Sequence, residues 1–361
     1  MNPVFYDPKI SYEENYKNGP PLFNANIKPL KRKKYTTYKL FGFDVNLPFG
    51  IPAGPLLNSQ FMKEAFNFGF DVNHYKTQRS IIFPCNSFPN VLYVDIDGNL
   101  TIKKTKKPLI GKKSTKKSKI QFSITNSFGI PSMGPEIWQE DMKKALSYQK
   151  SGQLLIASVV GTIKNGYTEE DYYNDFAHTA MLAKETGVKV IEINLSCPNV
   201  ANEGVICYTP SAVESICKKT KEKVGNIPIL AKLGYFTKDQ QDLLEDVVKK
   251  ISPFVHGIVA INTIPAPIVD NNGLQALPGP NRLISGVCGA SIKWAGIDMV
   301  RRLNLLKERF NYSYEIIGVG GMMSPVDFTD YIKAGANAVQ SATGAMWNPL
   351  LAYQIEEKIY L

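Results

Sequence analysis

The residue best suited to chemistry in this sequence is Cys197, which stands between Ser196 and Pro198 after an apolar, strand-like run. A cysteine in that position can act as a nucleophile or as a general base. The chain has three histidines, His74, His178 and His256. None of them shares a motif with Cys197, so no partner is placed to activate a nucleophile. We therefore predict a general base that takes a carbon-bound proton; the alternative is a small buried hydrophobe.

Two lysines and three asparagines also stand at or just beyond the ends of apolar runs. Lys76 and Lys232 each close one run, where an ammonium group suits the electron-rich edge of a reduced flavin or a substrate carboxylate. The alternative is a lysine on the rim that reaches solvent. The amide side chains are those of Asn194, Asn199 and Asn262. Buried amides need hydrogen-bond partners, so this grouping indicates a site for a polar ligand.

A pair of glycines indicates a phosphate site. Gly320-Gly321 ends the seventh strand-like run, Ser324 follows at a helix start, and Thr343 follows the eighth run. Glycine lets the backbone approach an anion, and the loops after the last two strands of an α/β barrel are the usual phosphate site. The alternative is a simple turn, which also uses glycine. We favour phosphate because of where the pair lies in the chain.

These residues need a fold that brings distant segments together. Eight short apolar runs alternate with amphipathic stretches, as in a parallel sheet. The runs are PFGIPA from Pro48, VNHYK from Val72, LLIASVVG from Leu154, VIEINLS from Val190, PILAKL from Pro228, GIVAINT from Gly257, EIIGVGG from Glu315 and AVQSAT from Ala338. Eight units predict an α/β fold, a closed (β/α)8 TIM barrel with its site at the carboxyl ends of the strands. The predicted helix N-caps include Asn58, Thr168 and Ser324.

The predicted barrel spans residues 47–361 and follows an irregular N-terminal extension, residues 1–46. An insertion at about residues 81–153 is predicted to be a lysine-rich hairpin or loop region with a turn at Asp97-Gly98. Nine lysines lie close together in it: Lys103, Lys104, Lys106, Lys107, Lys112, Lys113, Lys116, Lys117 and Lys119. They nearly account for the net charge of +10. Because no aromatic residue accompanies them, we predict a solvated, mobile loop and no nucleic-acid binding; contact with a polyanion or a membrane surface is the alternative.

The composition is that of a globular protein, with 361 residues, 44% of them hydrophobic and 20% charged. No apolar run approaches the roughly 20 residues that cross a bilayer, and the N-terminus resembles no secretory signal. The five cysteines form no CxxC pair, so neither a disulfide framework nor a metal site is predicted. Structural roles are expected for Cys85, Cys207, Cys217 and Cys288. A cytoplasmic location is the expectation.

Three segments together resemble the dihydroorotate dehydrogenases, and specifically their class 1 branch. The most specific is IEINLSCPNV at 191–200. The second is NSFGIPS at 126–132, similar to the family's substrate loop, and the third is SGVCGASIK at 285–293, similar to a glycine-rich segment beside the flavin. The resemblance extends from about Leu47 to Leu361 and implies FMN-dependent oxidation of (S)-dihydroorotate to orotate in de novo pyrimidine biosynthesis.

The resemblance also implies individual roles. Cys197 takes the proton from C5 of dihydroorotate while a hydride passes from C6 to N5 of FMN. The residues implied for the pyrimidine and its carboxylate are Lys76, Asn126, Phe128, Gly129, Ile130, Asn194, Asn199, Asn262 and Thr263. The residues implied for FMN are Ala53, Gly54, Lys76, Thr77, Asn194, Lys232, Gly286, Gly320, Gly321, Ala342 and Thr343.

The cysteine base, in place of the serine of class 2, implies a class 1 enzyme that is not bound to a membrane. Class 1A implies a homodimer that passes electrons to fumarate, which we favour; class 1B implies a partner subunit with FAD and an iron–sulfur cluster. Two other functions stay open. One is that of the flavin domain of dihydropyrimidine dehydrogenase, which shares Ser-Cys-Pro, and the other is a non-catalytic barrel that acts as a binding module.

The chain departs from the family pattern at three places. VANEGVICYTP follows the cysteine where class 1A enzymes have Val-Pro-Gly-Lys-Pro, and IPAPIVDNNG follows Thr263 in place of a shorter segment. Ala342 stands where glycine is usual. These departures bear on loop motion and on the second substrate.

Overall fold

The structure, a computed structural model, describes residues 3–21, 28–29, 37–196 and 206–360. The predicted base Cys197 and the predicted ligand Asn199 lie outside these residues.

The core of the fold is the predicted parallel barrel. All eight predicted runs form its strands, which are β1 Phe49–Gly50, β2 Val72–Gln78, β3 Leu154–Val159, β4 Val190–Asn194, β5 Ile229–Leu233, β6 Gly257–Ala260, β7 Glu315–Val319 and β8 Ala338–Gln340. Each strand pairs in parallel with its neighbours from β2 through β8 to β1. Backbone N–H groups of Asp71 and His74 donate to Phe49 O and Ile51 O, both at 2.9 Å, and close the ring. The (β/α)8 prediction is confirmed.

Helices alternate with these strands and pack outside them. The α-helices are Tyr12–Asn18, Ser59–Asn67, Ile102–Thr105, Pro135–Ser147, Glu169–Glu185, Pro210–Val224, Gln241–Ile251, Lys293–Phe310, Pro325–Lys333, Thr343–Trp347 and Leu351–Tyr360, with 3-10 turns at Ile206–Tyr208, Lys238–Gln240 and Ala290–Ile292. All three predicted N-caps are confirmed. Asn58 accepts from the backbone of Gln60, and Thr168 and Ser324 form capping boxes, which satisfy free N–H groups of the first turn.

The N-terminal extension contains more regular structure than the sequence suggested. Its strands Tyr38–Leu40 and Phe43–Val45 form an antiparallel hairpin. Leu40 and Phe41 of this hairpin pack in a cluster with interior residues of the barrel strands, and so cover the amino-terminal end of the barrel. The segment of residues 3–18, here called the arm, runs to the opposite end and carries the helix Tyr12–Asn18.

A second, smaller barrel lies over the carboxyl ends of the large one. Its five strands, here called the cap, are Val91–Val94, Leu109–Lys112, Ser123–Asn126, Ile264–Val269 and Ile284–Gly289. Three come from the predicted insertion and two from the segment after β6, for which the sequence predicted no strand. A short pair, Ile82–Phe83 with Ser132–Met133, lies at its margin.

The lysine-rich stretch is part of the cap. Val91–Val94 pairs antiparallel with Leu109–Lys112, so the predicted hairpin is present, and the chain bends at Asp97-Gly98, where Gly98 has φ of +64°. The connection is longer than a two-residue turn because the short helix Ile102–Thr105 also lies in it. Two lysines are held by ion pairs, Lys112 with Asp95 at 2.9 Å and Lys117 with Asp97 at 3.2 Å. The stretch therefore includes one short helix and one strand, while eight of its nine lysines are exposed, as the prediction of a solvated segment required.

We expect the exposed lysines here to be dispensable and the strand that they flank to be essential. Replacing Lys103, Lys107, Lys116 and Lys119 with glutamine should move the melting temperature by less than about 2 °C, because exposed charges contribute little. Deleting residues 109–112 should lower it by at least about 6 °C, because two cap strands lose their partner. Calorimetry measures both. A deletion variant that melts with the parent would contradict the five-stranded cap.

Candidate active site

A cavity of about 1110 Å³, including its open mouth, lies between the carboxyl ends of the barrel strands and the cap. It gathers residues from sequence positions that are hundreds of residues apart. The predicted site residues that line it are Ala53, Gly54, Lys76, Thr77, Asn126, Phe128, Gly129, Ile130, Asn194, Lys232, Asn262, Thr263, Gly320, Gly321, Ala342 and Thr343. The barrel therefore brings together both the residues predicted for the substrate and those predicted for the cofactor.

Gly286 is the described site residue that does not line the cavity. It lies one layer behind, in a cap strand beside Asn126, where an added Cβ would come within 2.1 Å of the Thr263 hydroxyl. Glycine at this position therefore lets the backbone of the cap strand pass close to Thr263. The lining also includes residues that the sequence did not single out for this site, among them Tyr6, Cys288, Met322, Met323 and Gln340.

One wall of the cavity is aromatic and surrounds the ammonium group of Lys76. Lys76 Nζ lies 4.8 Å from the centre of the Phe128 ring and 5.9 Å from that of Tyr12. The Tyr6 ring meets Phe128 edge to face at 5.3 Å. Cation–π attraction holds a desolvated ammonium against such rings. Two of these aromatic residues come from the arm, and no sequence pattern connects the arm with a strand end.

The segment after Asn126 is fixed by a buried arginine. Arg79 is fully buried, and its guanidinium donates to Ile130 O at 2.9 Å, to Gly161 O at 3.1 Å and to the Thr162 hydroxyl at 3.0 Å. Gly129 and Ile130 have φ of +79° and +54°, so this backbone is in a left-handed conformation that needs support. Arg79 supplies it. Sequence reasoning missed this residue because it lies three residues beyond Lys76, the predicted strand end.

The amide side chains form a connected cluster. The Asn262 amide nitrogen donates to Ser196 O at 2.9 Å and lies 3.4 Å from Asn194 Oδ1, while Asn262 Oδ1 accepts from the backbone of Thr263. The Thr263 hydroxyl is buried and has no hydrogen-bond partner among the residues that the structure describes. A buried hydroxyl of that kind normally bonds a ligand or a water molecule.

Cys288 connects the two sides of the cavity. Its sulfur receives hydrogen bonds from the Asn126 amide at 3.5 Å and the Thr343 hydroxyl at 3.4 Å. Burial raises the pKa of Cys288, and these two donors only partly offset that effect. Cys288 is therefore a neutral thiol that orients the residues on either side of it.

The glycine loop after β7 has the geometry of an anion cradle. Gly320 and Gly321 have φ of +124° and +68°, and a Cβ on Gly321 would lie 2.4 Å from the Lys293 backbone nitrogen. The loop is held from below because Ser341 donates to Met322 O at 2.6 Å and Asp327 accepts from the Met323 backbone. Gln340 Oε1, beside it in the cavity wall, is buried and has no hydrogen-bond partner in the described part of the chain. Bare backbone and free buried polar atoms fit a phosphate-bearing, ring-containing cofactor.

A barrel of this kind, with a polar cavity at its strand ends and a glycine cradle after its seventh strand, defines a cofactor-binding barrel enzyme. The family model described as dihydroorotate dehydrogenase matches residues 87–360. A dihydroorotate dehydrogenase of Dictyostelium discoideum is 36% identical over 98% of this chain and 96% of that protein. The chain therefore belongs to the dihydroorotate dehydrogenase family, whose members are flavin-dependent.

Relatives of both electron-acceptor types are similar to this chain. The catalytic subunit of a dihydroorotate dehydrogenase B (NAD(+)) from Methanocaldococcus jannaschii is 31% identical over 65% of this chain and 69% of that protein. A dihydroorotate dehydrogenase A (fumarate) from Limosilactobacillus reuteri is 30% identical over 53% of this chain and 58% of that protein. Separately, none of the helices in the described part of the chain is long and apolar enough to cross a membrane.

We expect Arg79 to contribute much more to the free energy of unfolding than an average arginine does. Arg79→Lys should lower the free energy of unfolding by about 3 kcal/mol, because a lysine cannot replace the planar fork and leaves buried carbonyls unpaired. Arg309→Lys is the control, since Arg309 is largely exposed and pairs with Glu245 at 3.3 Å; it should cost less than about 0.5 kcal/mol. Denaturant titration measures both values, and equal losses would contradict the support described for the Gly129-Ile130 backbone.

Proposed function

We propose that this protein oxidises dihydroorotate to orotate with FMN bound in the cavity, as a step of pyrimidine biosynthesis. The observation that carries the proposal is the convergence of a glycine cradle, two buried lysines and an amide cluster in one cavity. No part of a purely structural barrel needs such a set of polar groups at its strand ends.

The cofactor is held by chain segments at opposite sides of the cavity. The phosphate is bound by the cradle Gly320-Gly321 and by the hydroxyl of Thr343. Ala342 stands next to Thr343, where the family usually has glycine, and contributes its backbone to the same site. The ring system is contacted by Ala53, Gly54, Thr77, Asn194 and Lys232. Gly286 lies one layer behind them. When bound, the flavin supplies the acceptor for the hydride that leaves C6 of the substrate.

The substrate is held between the aromatic wall and the amide cluster. Hydrogen bonds to the pyrimidine come from the side chains of Asn126, Asn194, Asn262 and Thr263. We include Asn199 because the family motif in the sequence implies it. Lys76 offers the positive charge for the carboxylate, and the backbone of Phe128, Gly129 and Ile130 completes that side. The carboxylate requirement favours dihydroorotate over uracil or thymine, the substrates of the dihydropyrimidine dehydrogenase alternative.

Cys197 is the proposed base. Its thiolate takes the proton from C5, so that the C5–H electron pair forms the C5–C6 double bond as the hydride departs from C6. This role rests on the motif and on the position directly after Ser196, whose carbonyl already belongs to the amide cluster. The thiol must lose its proton to act, so the thiolate fraction sets the rate.

We further propose fumarate as the electron acceptor, a homodimer as the assembly and the cytoplasm as the location. These three rest on the class 1A resemblance. The alternative is an NAD-linked enzyme with a partner subunit, as the name of the Methanocaldococcus relative describes for that protein. Anaerobic reduction of the flavin by dihydroorotate, followed by reoxidation with fumarate, NAD⁺ or a quinone in separate trials, distinguishes them.

The first expected outcome concerns the cofactor. Purified protein should release one FMN per chain on denaturation, because the cradle and Thr343 provide one phosphate site. Chromatography of the released chromophore decides the matter. Recovery of FAD alone, or folded protein that takes up no flavin when titrated with FMN, would refute the assignment.

The second expected outcome concerns Cys197, the proposed base. Cys197→Ala should keep FMN and still bind orotate, while anaerobic flavin reduction by dihydroorotate slows about 10²–10⁴-fold, the usual contribution of a positioned base. Cys197→Ser should also be slow near neutral pH, and the wild-type rate should rise with pH through one ionisation. Cys217→Ala is the matched control, since Cys217 is buried in an outer helix. Parental rates for Cys197→Ala in stopped-flow would place the base elsewhere.

A further inference from the structure

A layer of polar side chains lies inside the barrel, directly beneath the cavity. It comprises His74 of β2, Ser158 of β3 and Glu192 of β4, each fully buried. Barrel interiors are usually filled by branched apolar residues, so three polar groups on adjacent strands are unusual. A buried carboxylate in particular is costly unless it has partners. The layer therefore has to be explained by something other than packing.

The three side chains form one connected network. The Ser158 hydroxyl lies 2.7 Å from Glu192 Oε1, and Glu192 Oε2 lies 3.0 Å from His74 Nδ1. Burial alone would raise the pKa of Glu192, but the neighbouring His74 and Lys232 and the Ser158 hydrogen bond lower it to about 2. These neighbours therefore favour the charged form of the Glu192 carboxylate.

The network reaches the cavity at two points. The hydroxyls of Thr77 and Ser158 are 2.9 Å apart, and Thr77 lines the cavity. On the other side, β4 and β5 are in register with Asn194 opposite Lys232, so Glu192 lies one inward position below that pair. Lys232 is nearly fully buried and also lines the cavity. One buried anion is therefore placed behind the hydroxyl and the ammonium proposed to face the flavin.

A charge in this position must influence what the cavity binds. Lys232 alone would favour the reduced flavin, because reduction adds negative charge to the ring system. Glu192 opposes that field from one inward position below Lys232, in a buried medium where charges are weakly screened. A cavity with both charges binds oxidised and reduced flavin with more similar affinities. This suits a flavin that has to be reduced by one substrate and reoxidised by another.

We propose that Glu192 is a positioning residue that acts as the counter-charge to Lys232 and, through Ser158, fixes the hydroxyl of Thr77, so that the cavity does not bind reduced flavin too tightly. This inference rests on the proposed flavin site and goes beyond it, because Glu192 itself contacts neither cofactor nor substrate.

The test compares the dissociation constants of oxidised and reduced FMN for apoprotein variants. Glu192→Gln keeps the shape and removes the charge, so the ratio of the oxidised to the reduced constant should rise about tenfold, a shift of about 30 mV for a two-electron couple. Glu192→Asp keeps the charge and should restore a ratio within about threefold of the wild type. Asp71→Asn is the control, since Asp71 is fully buried but lies before β2, at the opposite end of the barrel.

Each outcome bears on one claim. A wild-type apoprotein that binds no flavin refutes the proposed function itself. A wild type that binds flavin, with an unchanged ratio in Glu192→Gln, overturns the counter-charge and leaves the proposed function intact; an equal shift in Asp71→Asn overturns it as well. Should Glu192→Gln not fold, Ser158→Ala decides: we expect weaker binding of oxidised FMN by about threefold, and wild-type affinities for both flavin states would overturn the proposal.

Discussion

Closure of the parallel barrel is the constraint from which the site follows. The ring closes where β1 meets β2, and there the backbones approach so closely that a Cβ on Gly50 would lie 1.8 Å from Val72 O. Only glycine fits at that position. Because the closed strands are all parallel, their carboxyl ends form one rim. Lys76, Lys232 and Thr343 meet there although they are far apart in the chain.

The rim becomes a cavity because other parts of the chain close it from above and below. Above it, the cap joins strands from two separate excursions, and the arm adds Tyr6 and Tyr12. Below it, the network of His74, Ser158 and Glu192 replaces the usual apolar filling. The ligand space is thus bounded by aromatic faces on one side and by fixed charges on the other, which is how a binding site can be both selective and electrostatically tuned.

Local patterns in the sequence predict the barrel well, because each strand is a short apolar run and several helices have their own start signal. The eight runs and the caps at Asn58, Thr168 and Ser324 depend only on neighbouring residues. The site at the strand ends then follows from the architecture. The family motifs supplied the substrate and the roles of individual residues, which pattern alone does not give.

The cap, the arm and Arg79 could not be predicted in the same way. The cap strand Ile264–Val269 contains two prolines and Ile284–Gly289 contains two glycines, compositions that favour loops. They pair with each other, but their other partners lie more than a hundred residues earlier in the chain. Tyr6 and Tyr12 belong to no periodic pattern, and the partners of Arg79 are backbone carbonyls, which carry no sequence signal. Long-range contacts of this kind override local propensity.

The arm has a consequence for the order in which the molecule assembles. Val4 donates its backbone N–H to Met346 O at 2.6 Å, so a residue of the arm, which precedes the barrel, is fastened to a residue that follows β8. Chain synthesis is slow compared with the formation of local structure, and domains tend to fold from the N-terminus as they emerge. Here the arm has no docking place until β8 and the turn beyond it have left the ribosome. The aromatic wall beside Lys76 is therefore completed only after β8 has been made, and a nascent chain that ends before β8 does not possess it.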